Sequence, residues 1–178
     1  MVKIFIMKKI NYTQLASSFE TFHLPRYNEL PQSGLYLEQT TQYINGYLAP
    51  LGCDKLTTSM VSNYVKKKFI SSPVKKHYYA EHIIYLFFIA LAKSIIPMDQ
   101  INLLFDMQKQ AYTDQIAYDY FCAEFENVFF HCLGLKEELD NIGVTSTDTK
   151  LMLRHAIIAI ANTTYLNLCM REATGEEV

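Results

Sequence analysis

The chain has 178 residues and a net charge of −2, and half of its residues are apolar. This length suits one domain with a sizeable core, and a mean hydropathy of +0.02 argues against both a disordered chain and a multi-span membrane protein. The longest apolar run, residues 83–92, is about half as long as the ~20 residues that a membrane span needs.

The cysteines and the first residues exclude several further classes of protein. No pair of the four cysteines is spaced like a zinc site or a redox motif, and residues 1–9 lack the features of a signal peptide. We therefore expect reduced thiols, no metal, no cofactor, no membrane association and a cytoplasmic location. Residues 1–23 are predicted to be an N-terminal extension, with Met7 as an alternative start, a strand or tail at 2–6 and a short helix within 12–22.

The next elements follow from prolines, turn residues and helical periodicity. Residues 24–31 should be extended, because proline disfavours helix at the residue before it. A helix is predicted over 35–48, followed by a Pro/Gly turn at 50–54. A threonine or serine cap then opens a second helix, which runs to about Lys68.

The rest of the chain reads as helices joined by short links. Pro73 interrupts the helical pattern, and residues 74–79 form a short basic segment that favours β-structure. An aromatic stripe at 118–130 favours core, with a ligand pocket as the alternative. The last helix is apolar on more than one face, which predicts packing across a subunit interface. Helices are predicted at 81–94, from 97 onward, at 111–133 and at 148–171.

Positive charge is concentrated in the middle of the chain. Five lysines fall within residues 66–76, and no acid lies between Lys55 and Tyr79. Together with Lys55 these lysines give the segment a formal charge of +6, so the rest of the chain carries −8. Such segregation is typical of a surface that binds a polyanion, and duplex DNA is the first candidate. A solvated helix face is the alternative explanation for a charge run.

The order helix, tight turn, helix, basic link, helix is that of a winged helix-turn-helix. Its second helix would enter the major groove, and lysines at its end and in the link would neutralise phosphates. Asn63 and Ser62 would read base edges, since Asn pairs bidentately with adenine, or would form a polar surface. The predicted DNA-binding residues are Ser59, Ser62, Asn63, Tyr64, Lys66, Lys67, Lys68, Lys75, Lys76, His77 and Tyr79.

Residues 57–105 resemble the DNA-binding half of the MerR regulator superfamily. In that family the second helix carries a Tyr and basic residues, and it ends in an aliphatic pair followed by Pro. Tyr64, Phe69–Ile70 and Pro73 match these features. Gly commonly closes the helix where this chain has Lys68. The resemblance implies that the Tyr64 hydroxyl reaches a phosphate, whereas the residue pattern alone fits a core tyrosine equally well.

A closer resemblance covers residues 24–130. The segments LPRYNELPQSGLYLEQ and SMVSNYVKKKFISSPVKKHYYAEHI are similar to a Firmicute family termed domain of unknown function 1836. That resemblance implies no biochemical activity beyond the MerR-like helix-turn-helix.

We therefore predict an all-α protein. A MerR-like winged helix-turn-helix with a minimal β-wing should occupy residues 24–110, and a helical dimerisation or effector region should occupy 111–178. The predicted function is DNA binding by a homodimeric bacterial transcriptional regulator, with room for a small-molecule effector in the C-terminal helices. The alternative is a non-enzymatic interaction module that keeps this fold without binding DNA. No catalytic site is predicted, because the sequence has no catalytic-triad spacing and no Gly-rich phosphate loop.

Overall fold

The computed structural model describes residues 8–143 and 147–175, and the predicted strand or tail at 2–6 lies outside these ranges. Within them the protein is all-helical, as predicted, and two isolated β-bridges are its only β-structure. None of the described helices has the length and apolar character to cross a membrane. The α-helices are α1 (Tyr12–Ser17), α2 (Leu37–Leu48), α3 (Thr58–Lys66), α4 (Ala80–Ala92), α5 (Met98–Ala111), α6 (Asp114–Cys132) and α7 (Asp148–Thr174).

The most apolar helix, α4, lies at the centre. Twelve of its 13 residues are buried, and only Glu81, in its first turn, is exposed. A helix without a polar face has to be enclosed by its neighbours, and α2, α5, α6 and α7 all contact it. The core around it is continuous from Phe19 to Leu168. One core therefore serves both of the regions that the sequence analysis separates at residue 110.

The two longest helices, α6 and α7, run parallel. Three side-chain contacts between them join residues thirty positions apart: Tyr120 with Lys150, Glu124 with Arg154, and Cys132 with Asn162. The intervening chain must therefore return along the length of α6. The Asn127 side chain holds this return, because it exchanges two hydrogen bonds of 3.0 Å with the backbone of Asp140.

The segment before α2 is fastened to α6. Glu126 accepts hydrogen bonds from the Arg26 guanidinium at 2.8 and 2.5 Å and from the Leu24 N–H at 2.8 Å. This hydrogen-bonded pair raises the pKa of Arg26. Asp119 accepts another bond from the Tyr27 N–H at 2.8 Å. These contacts join residues about a hundred positions apart, and they fix the N-terminal segment against the C-terminal half of the core.

Two details of the sequence prediction are wrong. Residues 24–31 are not extended throughout, because Tyr27–Glu29 form a 3-10 turn. The prolines at 25 and 31 restrict only the residues directly before them, which leaves this turn free to form. The helix predicted from 111 starts later, because Tyr112 is extended (φ −143°, ψ 155°) and the Thr113 hydroxyl caps α6 by accepting from the Ile116 N–H.

We predict that Glu126→Ala lowers the free energy of unfolding by about 2–3 kcal/mol, since it leaves a partly buried guanidinium and a backbone N–H without their acceptor. The side chains of Arg26 and Glu126 are 35% and 12% exposed, so solvent screens this pair only in part. Urea unfolding measures the effect. The control Glu138→Ala removes an exposed carboxylate and should change stability by less than about 0.5 kcal/mol. An equal effect of the two variants would contradict a structural role for Glu126.

Candidate nucleic-acid interface

The connection between α2 and α3 sets the position of α3. A 3-10 turn, Ala49–Leu51, follows α2 directly, and Gly52 reverses the chain with φ +65°. The Asn45 side chain then donates to the Leu56 carbonyl at 2.9 Å and accepts from the Leu56 N–H at 2.8 Å. The Thr57 hydroxyl caps α3 by accepting from the Met60 N–H at 3.2 Å, as the sequence predicts for this helix start.

The helix α3 has one buried face and one exposed face. Val61 and Tyr64 are 0% and 6% exposed and point into the core. The opposite face carries side chains at spacings i, i+3, i+4 and i+7, which lie on one side of a helix. All four are exposed, and three of them are uncharged hydrogen-bonding side chains: Ser59, Ser62, Asn63 and Lys66.

Tyr64 is part of the core in this structure. Its ring makes an edge-to-face pair with Phe69 at a centroid distance of 6.4 Å, and burial raises the pKa of its hydroxyl. A phosphate contact by that hydroxyl stays a prediction.

The end of α3 is set by a lysine in the left-handed conformation. Lys68 has φ +61°. The helix α3 ends at Lys66, two residues before the predicted end at about Lys68. The Phe69 N–H donates to the Tyr64 carbonyl at 2.9 Å, and the Lys68 N–H donates to the Val65 carbonyl at 3.0 Å. This is the Schellman arrangement, which usually has Gly at the left-handed position because a side chain there costs about 1–2 kcal/mol.

The basic link forms a two-residue turn over residues 74–77. Val74 and His77 exchange backbone hydrogen bonds of 3.1 and 2.9 Å, and both central residues, Lys75 and Lys76, have positive φ of 48° and 68°. Such a turn favours Asn-Gly, because non-Gly residues are strained there. Backbone hydrogen bonds of 2.9 and 2.8 Å between Leu35 and Tyr78 hold this link to the chain before α2.

These observations single out three lysines. In the described ranges, Lys68, Lys75 and Lys76 are the non-glycine residues with positive φ, and all three are exposed. Among the same residues, no carboxylate is paired with any of the five lysines at 66–68 and 75–76. A charged side chain at a position that favours Gly lowers stability, so its presence suggests a functional reason. We call the exposed face of α3, these five lysines and the 74–77 turn the basic surface.

An aromatic pair borders the basic surface. His77 is half-buried, and its ring centroid lies 4.3 Å from that of Tyr36, which is 53% exposed. Tyr79 is also half-buried and precedes α4. The sequence analysis includes His77 and Tyr79 but misses Tyr36, which lies forty residues earlier. The only signal for Tyr36 is its place between Gly34 and the start of α2.

His82 fastens the link to α4. It is 2% exposed, its Nδ1 accepts from the Tyr79 N–H at 3.0 Å, and its Nε2 lies 3.1 Å from the Ser72 carbonyl oxygen. A carbonyl only accepts, so Nε2 is the donor in this contact. His82 is therefore a structural residue.

The described cysteines are free thiols. Burial raises the pKa of Cys53 to about 11 and that of Cys122 to about 12, so both are protonated at neutral pH. Among the residues that the structure describes, no three His, Cys, Asp or Glu side chains come together in a way that would hold a metal ion.

Comparisons with known proteins identify a family for most of this region. Residues 25–124 match the model of a family described as Domain of unknown function (DUF1836). The match spans more than half of the chain and includes the whole basic surface. No curated protein and no solved structure matches the chain. The resemblance to this family is therefore confirmed, and its MerR-like part stays a prediction.

We predict that Lys68→Gly raises the free energy of unfolding by about 1 kcal/mol, because it removes the strain of a left-handed lysine. The matched control is Lys67→Gly, which removes the same charge at φ −83° and should lower stability by about 0.5–1 kcal/mol. Urea unfolding of the two variants gives the comparison. A loss of stability in both would show that the backbone at Lys68 is not strained.

Proposed function

The chain belongs to the DUF1836 family, whose description names no activity, and from the geometry of the basic surface we propose that it is a DNA-binding bacterial transcriptional regulator. In this proposal α2 and α3 form a MerR-like helix-turn-helix, and the 74–77 turn is the tip of a minimal wing. The observation that carries the proposal is that three exposed lysines at strained positions lie beside an exposed helix face with three uncharged hydrogen-bonding side chains.

The exposed face of α3 suits the major groove. The groove admits a helix, and uncharged side chains such as Ser59, Ser62 and Asn63 form hydrogen bonds with base edges. Asn63 is the best candidate for reading a base, because its amide both donates and accepts. The function needs this face to be uncovered, and no other element of the described chain covers it.

The lysines at 66–68 and 75–76 suit the phosphate backbone. The first three lie at the C-terminal end of α3, and the other two lie at the tip of the proposed wing. In these positions they would contact phosphates on either side of the groove. Phosphate contacts fix position and orientation but carry no base information. Unpaired lysines gain most from such contacts, because they give up no ion pair within the protein.

A homodimer is part of the proposal. The nine-residue helix α3 provides little contact area, and specific binding by such helices usually uses two half-sites. The sequence analysis expected α7 to pack across a subunit interface. Ile157 and Ile160 are covered by their own chain, but Met152, Leu166 and Met170 lie on one outer side of α7 with 46–57% exposure. This side of α7 is the surface that a second copy would cover.

The central test is the salt dependence of binding to duplex DNA. If a dimer contacts ~6 or more phosphates, affinity should fall ~10³-fold between 50 and 200 mM salt. Lys75→Asn combined with Lys76→Gly should weaken binding to all sequences and reduce the salt slope by about 2 per protomer, while it stabilises the turn. Fluorescence anisotropy gives the affinities, and Lys109→Asn, which replaces an exposed lysine on α5, is the control.

Two results would contradict the phosphate contacts. One is an affinity for random duplex that does not change with salt. The other is a double variant that is more stable but binds DNA as the wild type does. Either result would favour the alternative function, in which the lysines and the exposed Tyr36–His77 pair meet an acidic protein surface.

We also predict that Asn63→Ala relaxes sequence preference at one base position, with a loss of about 1–3 kcal/mol of discrimination, because a bidentate contact to a base is removed. Selection from a random duplex library by the wild type and the variant measures the preference at every position. Ser71→Ala, an exposed change outside α3, should leave all preferences unchanged. Unchanged preferences in the Asn63 variant would show that this residue does not read a base.

A further inference from the structure

A cavity of about 140 Å³ lies where the start of α7 meets α6. Its walls are mainly apolar, and Ile116, one of the lining residues, is 57% exposed, so the cavity opens to solvent. A dry apolar cavity of similar size, about 150 Å³, is large enough for benzene. The residues that determine its chemistry are Tyr112, Ile116, Ala117, Tyr120, Lys150 and Leu153.

The polar groups at this cavity can all donate hydrogen bonds. The Lys150 ammonium lies 5.4 Å from the centre of the Tyr120 ring, and no carboxylate is among the described lining residues. The Tyr120 hydroxyl is buried and has no hydrogen-bond partner in the described part of the chain. Burial also raises the pKa of Tyr120 to about 12, so the hydroxyl keeps its proton and remains a donor at neutral pH. Buried polar groups normally have partners, so an unpaired donor beside a cavity points to a ligand with an acceptor.

The buried acid on the same helix as Tyr120 is already paired with a different cation. Glu124 lies one helical turn beyond Tyr120 and is 0% exposed; one of its carboxylate oxygens accepts from Arg154 Nε at 2.9 Å, and the other is buried without a partner in the described part of the chain. Arg154 therefore balances the charge of Glu124. Lys150, which is half-buried at the cavity, has no such partner among the described residues. The net charge offered to a ligand is positive.

We propose that this cavity binds a small apolar monocarboxylate as an effector. The carboxylate would accept a charge-assisted hydrogen bond from Lys150, and it would accept a neutral one from the Tyr120 hydroxyl once that buried group turns toward the cavity. The body would be a single six-membered ring or a short branched chain, packed against Ile116, Ala117 and Leu153. A second ring would exceed the cavity volume.

The link to DNA binding runs through α7, and this part rests on the proposed function. The ligand would contact Lys150 and Leu153 near the start of α7. At the far end of the same helix, the Arg171 guanidinium lies against Gly52, in the space that a Cβ would occupy. Gly52 is in the turn that sets the position of α3. A shift of α7 along its axis would therefore be transmitted to the recognition helix.

The experiment uses the full-length protein with benzoate and 3-methylbutanoate as probes and benzamide as the uncharged analogue. Isothermal titration calorimetry without DNA tests the site alone. We expect benzoate to bind at least about tenfold more tightly than benzamide, and Lys150→Met to remove this difference, because the variant keeps a flexible unbranched side chain, one atom shorter, without the charge. The control Lys109→Met replaces another lysine that lies over a tyrosine ring, at 4.8 Å from that of Tyr85, and should bind benzoate as the wild type does. Ala117→Leu, which fills the cavity, should abolish binding of both compounds.

Equal binding of benzoate and benzamide to the wild type would overturn the proposal, as would the absence of binding of both carboxylates at 10 mM, an upper limit set at about ten thousand times a Kd of about 1 μM. The effector role is tested separately by the affinity for DNA with and without benzoate. If benzoate binds and DNA affinity does not change, the effector role is wrong. If benzoate binds and the protein has no affinity for DNA, the site stands and the proposed function fails.

Discussion

Because α4 is apolar around its whole circumference, its neighbours have to enclose it. The helix α2 does so beside the basic surface, and α5, α6 and α7 do so on its other sides. Each fully buried side chain, such as Phe87 or Leu86, contributes roughly 1.5–3 kcal/mol relative to an exposed one. The basic surface therefore rests on a well-packed core although its own segments are short.

The ion pair between Arg26 and Glu126 also helps to support the basic surface. It draws residues 24–29 onto α6, and the chain then passes through Gly34 and Leu35, where Leu35 pairs with Tyr78. The base of the 74–77 turn is thus tied to two partners, the chain before α2 and the buried His82. Hydrogen bonds hold both ends of this link, and the side chains of Lys75 and Lys76 at the tip of the turn remain exposed. This is the arrangement that a positioned cation needs, because ordering its backbone in advance reduces the entropy lost on binding.

Much of the helical structure is predictable from the sequence because the signals are local. Thr57 caps α3, Gly134 follows the end of α6, and the alternation of Val61 and Tyr64 with polar residues identifies the exposed face. The remainder depends on contacts that no local signal reports. The pairing of Arg26 with Glu126 joins positions a hundred residues apart, and the parallel course of α6 and α7 is set by packing. Lysine carries no preference for left-handed backbone, so the end of α3 at Lys66, before the left-handed Lys68, cannot be inferred from residue type.

The central place of α4 also has a consequence for synthesis on the ribosome. The chain emerges with its N-terminus first, and the side of α4 that faces α7 stays uncovered until residues near 168 have been made. At 5–20 residues per second, the interval between the end of α4 and the end of α7 lasts roughly 4–16 s. During that time the side of α4 that α7 covers in the finished structure stays exposed, although α2 has already been made and α5 and α6 follow. Such a chain is a natural substrate for chaperones that hold apolar segments, and the basic surface acquires its support only when translation of α7 is complete.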